Sequence, residues 1–243
     1  MDRASPFEVW HAAVDRVTHF GTRVYCPICG KHSAKFRDFG HIVRKNAECV
    51  WCGSLERHRF LWKYFEKSLL PRIGPSPGKF LHFAPEKCFR PRFRQLFGKG
   101  YITADLYLAG VDYRVDITKQ FFNEGEFGLV YCSHVLEHVT DDRAAMREVY
   151  RVLAPGGVAL IAVPIDPTLA TTLEDSNATT AEDRARLFGQ HDHVRQYVAD
   201  FPDRLRAAGF AVSTIRSQDL LIPAEMHYLG IRRDHLYVCG KGR

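Results

Sequence analysis

Residues 127–163 read FGLVYCSHVLEHVTDDRAAMREVYRVLAPGGVALIAV, and this stretch predicts the class of fold. Apolar runs at 127–132 and 157–163 are typical of buried strands, whereas 141–153 has the apolar spacing of a helix. Pro155 cannot continue that helix, and the two glycines after it permit the chain to reverse into the next strand. A strand, a crossover helix and a second strand in this order indicate a parallel sheet with covering helices.

The same alternation extends outward from this stretch, beginning at Lys79. Strands are predicted at 79–83, 101–105, 127–132 and 157–163, with shorter ones near 112–115, 211–215 and 235–239. Helices are predicted at 86–97, 141–153 and 195–208. We therefore predict an α/β fold with a doubly wound, mostly parallel, seven-stranded sheet, whose ligands bind beyond the carboxyl ends of the strands.

A second, smaller module is predicted by four cysteines near the N-terminus. Cys26 and Cys29 form one Cys-x-x-Cys pair, and Cys49 and Cys52 form another after nineteen intervening residues. Two such pairs supply the four thiolates of a structural, tetrahedral Zn²⁺ site. A glycine follows each pair, where a knuckle turn often needs a positive φ. A disulfide framework is the alternative, but it fits poorly in a chain without a recognisable secretory signal.

Four regions are predicted along the chain. Residues 1–20 contain an amphipathic helix over 6–19, and 21–53 form the zinc ribbon. Residues 54–78 hold a helix that Ser54 could cap, followed by a linker rich in proline and glycine. Residues 79–243 form the α/β domain.

The bulk composition suggests a cytoplasmic protein with a basic ribbon. No apolar run approaches the roughly 20 residues of a membrane span, and Met1–Pro6 lacks the layout of a signal peptide. Residues 21–70 hold ten Lys or Arg and four acids, so the net charge of this segment is +6, the same as that of the whole chain. Four zinc-bound thiolates would reduce this to about +4. Such a surface could hold an anionic partner such as nucleic acid, or could simply be solvated.

Three motifs between residues 79 and 164 resemble the class I S-adenosylmethionine-dependent methyltransferases, which have a Rossmann-like sheet. YITAD at 101–105 is a strand that ends in an acid, VYCSHVLEHV at 130–139 resembles the fourth-strand motif, and EVYRVLAPGG at 148–157 resembles the helix and turn after it. CVWCGSLERHR at 49–59 further resembles a bacterial group with a ribbon fused in front. The resemblance implies methyl transfer from S-adenosylmethionine, with a small-molecule or glycan-linked acceptor.

The turn after the first strand departs from the family pattern. The family has an acid and a glycine-rich turn there, whereas this chain has FLHFAPEKC at 80–88, with Ala84, Glu86 and Cys88 in place of glycines. A turn containing proline can still open the crevice, and Glu86 could bind the methionine amino group. The alternative is a binding module whose cofactor pocket has decayed.

By resemblance, Asp105 would bind ribose hydroxyls and Asp116 the adenine amino group, with Ile117 packed on the ring. Ser133 and His134 would lie beside the sulfonium, and Glu137 and His138 would contact the acceptor or merely begin a helix. The cofactor-binding residues predicted in this way are His82, Ala84, Pro85, Glu86, Asp105, Leu106, Asp116, Ile117, Ser133 and His134.

A second polar cluster, FGQHDHVRQY at 188–197, follows the predicted fifth strand. His191 and His193 are candidates, with His134, for the base that removes a proton from an oxygen or nitrogen nucleophile. Arg195 could clamp a carboxylate or phosphate, and Tyr197 is a further candidate for acceptor binding. The segment His191-Asp192-His193 alone supplies too few ligands for a bound metal ion.

The resemblance therefore implies methyl transfer to an oxygen or nitrogen of a small-molecule or glycan-linked acceptor. One alternative is an RNA methyltransferase whose basic ribbon holds the phosphate backbone, although Phe36, Phe39 and Trp51 are the few ribbon aromatics suited to stacking on bases. The other is a non-enzymatic binding module. The sequence leaves the acceptor, the identity of the base and the oligomeric state open.

Overall fold

The computed structural model describes residues 14–40, 43–74 and 78–242. The strands are β1 (Val24–Cys26), β2 (Lys31–Ser33), β3 (Arg37–Phe39), β4 (Arg44–Glu48), β5 (Lys79–Phe83), β6 (Tyr101–Asp105), β7 (Tyr113–Arg114), β8 (Phe127–Ser133), β9 (Leu153–Ala162), β10 (Leu173–Glu174), β11 (Arg195–Gln196), β12 (Ala211–Arg216) and β13 (His235–Gly240). The helices are α1 (Glu56–Tyr64), α2 (Leu70–Ile73), α3 (Arg90–Phe97), α4 (Asp142–Val152), α5 (Ala181–Phe188), α6 (Phe201–Ala207), α7 (Ser217–Leu220) and α8 (Pro223–Tyr228).

The chain divides into two compact units. The first consists of residues 1–75, 86–92 and 216–234, and the second of residues 76–85, 93–215 and 235–243. Residues 86–92 and 216–234, which the sequence analysis assigns to the α/β domain, therefore cluster with the ribbon. Most of the predicted helix over 6–19 lies outside the described residues, but residues 14–18 are helical.

The second unit contains a seven-stranded sheet in the order β12-β13-β9-β8-β5-β6-β7. Strand β5 is parallel to both of its neighbours, β6 and β8, and the outer pairs β6–β7 and β8–β9 are parallel as well. Strand β13 runs antiparallel to β9. This confirms the predicted doubly wound α/β sheet. In chain order, β6 and β7 are added on one side of β5, and β8 and β9 are then added on its other side. The strand order therefore reverses between β5 and β8. Such a reversal opens a crevice at the carboxyl ends of the strands.

The stretch at 127–163 folds as a β-α-β unit, with one difference from the prediction. Helix α4 ends at Val152, and β9 begins directly at Leu153, which pairs with Phe127. The register then shifts, so that Val158 pairs with Leu129. The proline and the two glycines thus lie in a bulge inside β9 and not in a turn before it. A Cβ on Gly157 would lie 2.8 Å from the Ala154 carbonyl oxygen, so only glycine fits there.

The other predicted helices differ mainly at their starts. Helix α1 begins after Leu55 rather than Ser54, because the Ser54 hydroxyl lies 3.2 Å from Cys26 Sγ and 3.3 Å from Cys52 Sγ. A π-helical turn, Phe65–Leu69, joins α1 to α2. The helix predicted at 86–97 begins at Arg90. The helix predicted at 195–208 begins at Phe201, because Arg195–Gln196 instead pairs antiparallel with Leu173–Glu174.

Within the first unit, a fully buried arginine ties together segments that are distant in sequence. The Arg59 guanidinium donates to the carbonyls of Leu229, Ser54, Ala47 and Gly230 at 2.6–2.8 Å. It also lies 3.9 Å above the Phe36 ring. Buried arginine needs such partners, because its guanidinium keeps its charge.

In the part of the chain that the structure describes, no helix has the length and apolar composition of a transmembrane span.

Candidate active site

A cavity of about 700 Å³ opens in the second unit at the carboxyl ends of β5, β6, β7 and β8. This volume lies within the roughly 300–1,000 Å³ that small-molecule sites occupy. Its lining includes Ala84, Asp105, Leu106, Tyr107, Asp116, Ile117, Thr118, His134, His138, Asp141 and Asp192. The fold therefore brings six of the ten predicted cofactor-binding residues to one cavity.

The carboxylate of Asp105, at the end of β6, is held rigidly by the following backbone. Its Oδ1 accepts hydrogen bonds from the backbone N–H groups of Tyr107 at 2.7 Å and Leu108 at 2.6 Å. Its other oxygen makes no hydrogen bond with the residues that the structure describes. The side chain is thus oriented while retaining an acceptor oxygen for a ligand.

Asp116 is oriented in a similar way at the far side of the cavity. Its Oδ1 accepts from the backbone N–H of Thr118 at 2.8 Å and from the Thr118 hydroxyl at 2.7 Å. These hydrogen bonds lower the pKa of Asp116, so the group is a carboxylate at neutral pH. Ile117 beside it is largely buried and contributes apolar surface to the lining.

The turn after β5 has the backbone conformation that the family pattern obtains from glycine. Ala84 has a φ of +47°, in the left-handed region, and its N–H donates to the Ala104 carbonyl oxygen at 3.0 Å. Alanine tolerates this conformation at a moderate cost in free energy. The turn therefore contains, without a glycine, a backbone conformation that glycine usually provides.

Four of the predicted cofactor-binding residues do not line this cavity. His82 is fully buried, and its Nδ1 lies 2.7 Å from the Tyr101 hydroxyl. Pro85 and Ser133 are also buried. Glu86 belongs to the first unit, where its Oε1 lies 3.6 Å from Nε2 of His58.

His134 begins the loop after β8 and is held in an unusual conformation. Its φ is +53°, and its N–H donates to the Ala162 carbonyl oxygen at 2.8 Å. The ring lines the cavity, and its Nδ1 lies 3.1 Å from Oε1 of Glu137. Glu137 is 1% exposed. The predicted contact of Glu137 with the acceptor is therefore not supported, because its carboxylate is buried and the residue is not among those that line the cavity.

The two remaining histidine candidates have different environments. His193 is buried, and its Nδ1 lies 3.2 Å from the Phe188 carbonyl oxygen. Burial lowers the pKa of His193, which favours the neutral ring. His191, in contrast, is exposed and is not among the lining residues. The ring of His138 meets that of His193 edge-on, with centroids 4.8 Å apart.

Arg195 and Tyr197 support the loop instead of facing a ligand. The buried Arg195 guanidinium donates to the carbonyls of Leu136, Val139 and Thr140 and pairs with Glu174 at 2.7 Å. The Tyr197 hydroxyl donates to Asp142 at 2.7 Å, and burial raises the pKa of Tyr197. The predicted acceptor-binding roles are therefore not supported, since both polar groups are already engaged.

The four ribbon cysteines converge in the first unit, with their sulfur atoms within 4.8 Å of one another. Cys26 Sγ lies 3.7 Å from Cys52 Sγ, and Cys29 Sγ lies 3.8 Å from Cys49 Sγ. Sulfurs bound at about 2.3 Å around one tetrahedral Zn²⁺ are separated by about 3.8 Å. Gly30 and Gly53 both have a φ of +70°, as predicted for the knuckle turns. The cluster is compatible with zinc.

The sequence analysis missed several polar residues that line the cavity or support the cysteines. Asp141 caps α4 by accepting from the Ala144 N–H, and Asp192 also reaches the cavity. Thr118 follows Asp116 by two residues, a spacing typical of an Asx turn that could have indicated its role. The proximity of Ser54 to the cysteine sulfurs had no comparable signal in the sequence.

Comparison with known proteins agrees with this geometry. Residues 85–161 match the model of a methyltransferase domain family. Phosphoethanolamine N-methyltransferase 2 of Haemonchus contortus is a similar solved structure, with 12% identity, 81% of this chain and 55% of that chain covered, and a TM-score of 0.50. The CurJ carbon methyltransferase is 16% identical, the match covers 76% of this chain and 54% of that chain, and the TM-score is 0.51. The [4+2]-cyclase SpnF is 12% identical, the match covers 96% of this chain and 93% of that chain, and the TM-score is 0.50.

These identities establish a shared fold only, and no curated protein sequence matches the chain.

Proposed function

We propose that this chain, which carries a methyltransferase domain, transfers the methyl group of S-adenosylmethionine to an oxygen or nitrogen of a small-molecule or glycan-linked acceptor. The observation that carries the proposal is the cavity at the reversal of strand order, where Asp105, Asp116 and His134 converge. The cofactor, when bound, supplies a methyl group on a positively charged sulfonium. In-line transfer then requires the protein to orient the nucleophile and accept its proton.

Asp105 and Asp116 are the residues proposed to hold the cofactor. Each has one carboxylate oxygen committed to the local backbone and so presents a fixed acceptor. Asp105 would accept from the ribose hydroxyls and Asp116 from the adenine amino group, while Ile117 packs on the ring. The φ of Ala84 supports a working pocket over a decayed one, because the turn keeps a shape that glycine usually provides.

His134 is the best-supported base of the three predicted histidines. It lines the cavity, whereas His193 is buried and His191 is not in the lining. When the imidazole takes a proton from the acceptor, the buried Glu137 carboxylate at 3.1 Å stabilises the resulting positive charge. Glu137 therefore serves as a positioning and electrostatic residue.

The charge of the lining supports a neutral or cationic acceptor. Asp105, Asp116, Asp141 and Asp192 line the cavity, and none of the lining residues within the described ranges is lysine or arginine. Carboxylates favour the positively charged sulfonium and repel phosphate groups. This argues for a small or glycan-linked acceptor over an RNA backbone entering the cavity.

We also propose that Cys26, Cys29, Cys49 and Cys52 bind a structural Zn²⁺. Four thiolate ligands leave no open coordination position, so the ion organises the ribbon and takes no part in the reaction. The Ser54 hydroxyl could donate to the sulfurs of Cys26 and Cys52, which would stabilise their negative charge.

The proposal is tested by titrating the zinc-loaded protein with S-adenosylmethionine and S-adenosylhomocysteine in a calorimeter. Asp105→Asn can keep the turn but lacks the charge, so we expect at least about tenfold weaker binding, since hydrogen bonds to charged groups contribute about 1.5–3 kcal/mol. Asp203→Asn, at an exposed aspartate of the same unit, is the control and should bind normally. No binding by folded wild-type protein, or unchanged binding by Asp105→Asn, would contradict the proposal.

A further inference from the structure

Glu137 is a buried carboxylate that lacks the hydrogen bonds such a group normally has. The residue is 1% exposed, and within the described ranges neither oxygen accepts a hydrogen bond. The imidazole of His134 lies at ion-pair distance, 3.1 Å, but without hydrogen-bond geometry. Burying an ionised carboxylate in this way is costly unless a cation compensates it.

Two histidines beside Glu137 each have one ring nitrogen engaged by an oxygen. Nδ1 of His193 lies 3.2 Å from the Phe188 carbonyl oxygen. Nδ1 of His138 lies 3.2 Å from the Asp192 carbonyl oxygen and 3.3 Å from the Asp192 carboxylate. Because these oxygens can only accept, Nδ1 carries the proton in each neutral ring, and Nε2 keeps its lone pair.

This is the arrangement in which proteins present histidine to a metal ion. A ligating imidazole almost always donates its other N–H to a carbonyl or carboxylate, which sets the tautomer and the ring orientation. A carboxylate oxygen of Glu137 and one ring nitrogen each of His138 and His193 lie within 4.8 Å of one another. The 134–140 loop and the 191–193 segment thus supply three ligands that neither stretch contains alone.

We propose that Glu137, His138 and His193 form a binding site for a divalent transition-metal ion, distinct from the four-cysteine cluster. Two imidazoles and one carboxylate favour ions such as Mn²⁺, Co²⁺, Ni²⁺ or Zn²⁺ over Mg²⁺ and Ca²⁺, which prefer oxygen ligands. His138 and Asp192 also line the cavity, so the ion's remaining positions can accept an oxygen or nitrogen ligand from there. Only this last step, binding of an acceptor atom, rests on the proposed function.

The test uses Co²⁺ with the full-length protein loaded with a single equivalent of zinc, which the four thiolates of the cysteine cluster bind most tightly. Calorimetry measures how many Co²⁺ ions bind, and absorption spectra report where, because cobalt bound to thiolates has an intense near-ultraviolet charge-transfer band. We expect one equivalent of Co²⁺ without that band. Glu137→Gln and His193→Gln should each weaken binding at least tenfold.

His191→Gln is the matched control, since His191 lies in the same segment but is exposed and outside the cluster. Its Co²⁺ affinity should stay within twofold of wild type. The proposal is overturned if the zinc-loaded wild type binds no Co²⁺, or if Glu137→Gln binds it as tightly as wild type. It is also overturned if all Co²⁺ binding produces the thiolate band.

Thermal unfolding separates metal binding from misfolding. Without added ion, Glu137→Gln should melt at or above the wild-type temperature, because the variant keeps the shape of the side chain and replaces a buried carboxylate whose oxygens accept no hydrogen bond within the described ranges. Added Co²⁺ should raise the melting temperature of wild type and His191→Gln but not of Glu137→Gln. Because S-adenosylmethionine binding is measured without Co²⁺, retained cofactor binding with no metal binding would refute this site alone.

Discussion

Arg59 illustrates how one side chain organises a unit whose segments are far apart in sequence. Its four carbonyl partners are Ala47 before the second cysteine pair, Ser54 two residues after that pair, and Leu229 and Gly230 after α8. Hydrogen bonds from a charged donor to buried carbonyls are strong, and removing the donor leaves those carbonyls without partners.

Replacing Arg59 with methionine should therefore destabilise the first unit by about 3–5 kcal/mol, because several buried acceptors lose their partner together. The measurement is chemical denaturation of the zinc-loaded protein. Arg23→Met, at an exposed arginine of the same unit, should change the free energy of unfolding by about 0.5 kcal/mol or less. Equal stabilities of the two variants would show that the buried hydrogen bonds contribute little.

Ala84 shows what a sequence pattern misses at the scale of one residue. The absence of glycine after β5 suggests a lost pocket, yet alanine there adopts a φ of +47°. Neighbouring structure imposes this conformation through the hydrogen bond to Ala104. Local preference alone could not predict it, because alanine disfavours the left-handed region.

At the scale of elements, the loop that carries His134 and His138 is supported by a network of ion pairs. Arg195 from β11 binds three loop carbonyls and pairs with Glu174 from β10. Arg204 from α6 contacts both Glu174 at 3.0 Å and the start of α4 through Asp142 at 3.1 Å. The short β10–β11 pairing thus positions the candidate site without contributing a catalytic group.

This network predicts a pH-dependent contribution to stability. Hydrogen bonds from Arg204 and Arg195 lower the pKa of Glu174 to about 2. A carboxyl with a lowered pKa in the folded state stabilises the protein above its unfolded pKa of roughly 4.3 and loses this effect as the pH falls toward 2. At pH 7, Glu174→Gln should cost about 0.5–1 kcal/mol, a modest value because the half-exposed side chain is screened by solvent.

The check is to compare wild type and Glu174→Gln in denaturant titrations at several pH values. The difference in unfolding free energy should shrink steadily between pH 5 and pH 2.5. Glu182→Gln, at an exposed glutamate in the first turn of α5, should show a small difference with no comparable trend. A difference that is constant with pH would mean that the ion pairs do not stabilise the fold.

Whole-molecule organisation differs from the order of the chain. Residues 86–92 and 216–234 belong to the same compact unit as the four cysteines, although a short stretch of the sheet-containing unit, 76–85, precedes the first of these segments and a long one, 93–215, precedes the second. Within the part of the first unit that the structure describes, the strands form only two-stranded pairings, β1–β2 and β3–β4. Units with so little sheet often need a metal ion for stability.

Loss of one cysteine ligand should therefore remove the zinc and lower the stability of this unit. In a Glu137→Gln background, where only the four thiolates are expected to hold zinc, we expect about one zinc per chain, and almost none once Cys49→Ser is added, with a clearly lower melting temperature. Cys88→Ala is the control, because Cys88 is buried in the same unit but lies outside the cluster. Atomic emission and thermal melting give the two readouts, and full zinc content in Cys49→Ser would contradict the assignment.

Local sequence patterns were sufficient to predict the sheet and the cysteine cluster, whereas the resemblance to methyltransferases predicted the aspartates at the end of β6 and after β7. Buried strands are apolar runs, ligand pairs follow short fixed spacings, and residues at the carboxyl ends of parallel strands meet at one edge. These properties depend on neighbours in the chain, which a sequence displays directly. The resemblance also pointed to His134, which begins the loop after β8, as one of three candidate bases.

Only the tertiary structure decided which polar side chains face the cavity and which are buried. Glu137, Arg195 and Tyr197 belong to motifs that suggest ligand binding, yet all three side chains are buried. Likewise, the grouping of Glu137 and His138 with His193 joins residues more than fifty positions apart. Burial and through-space distance depend on how distant segments pack, and no local pattern encodes that packing.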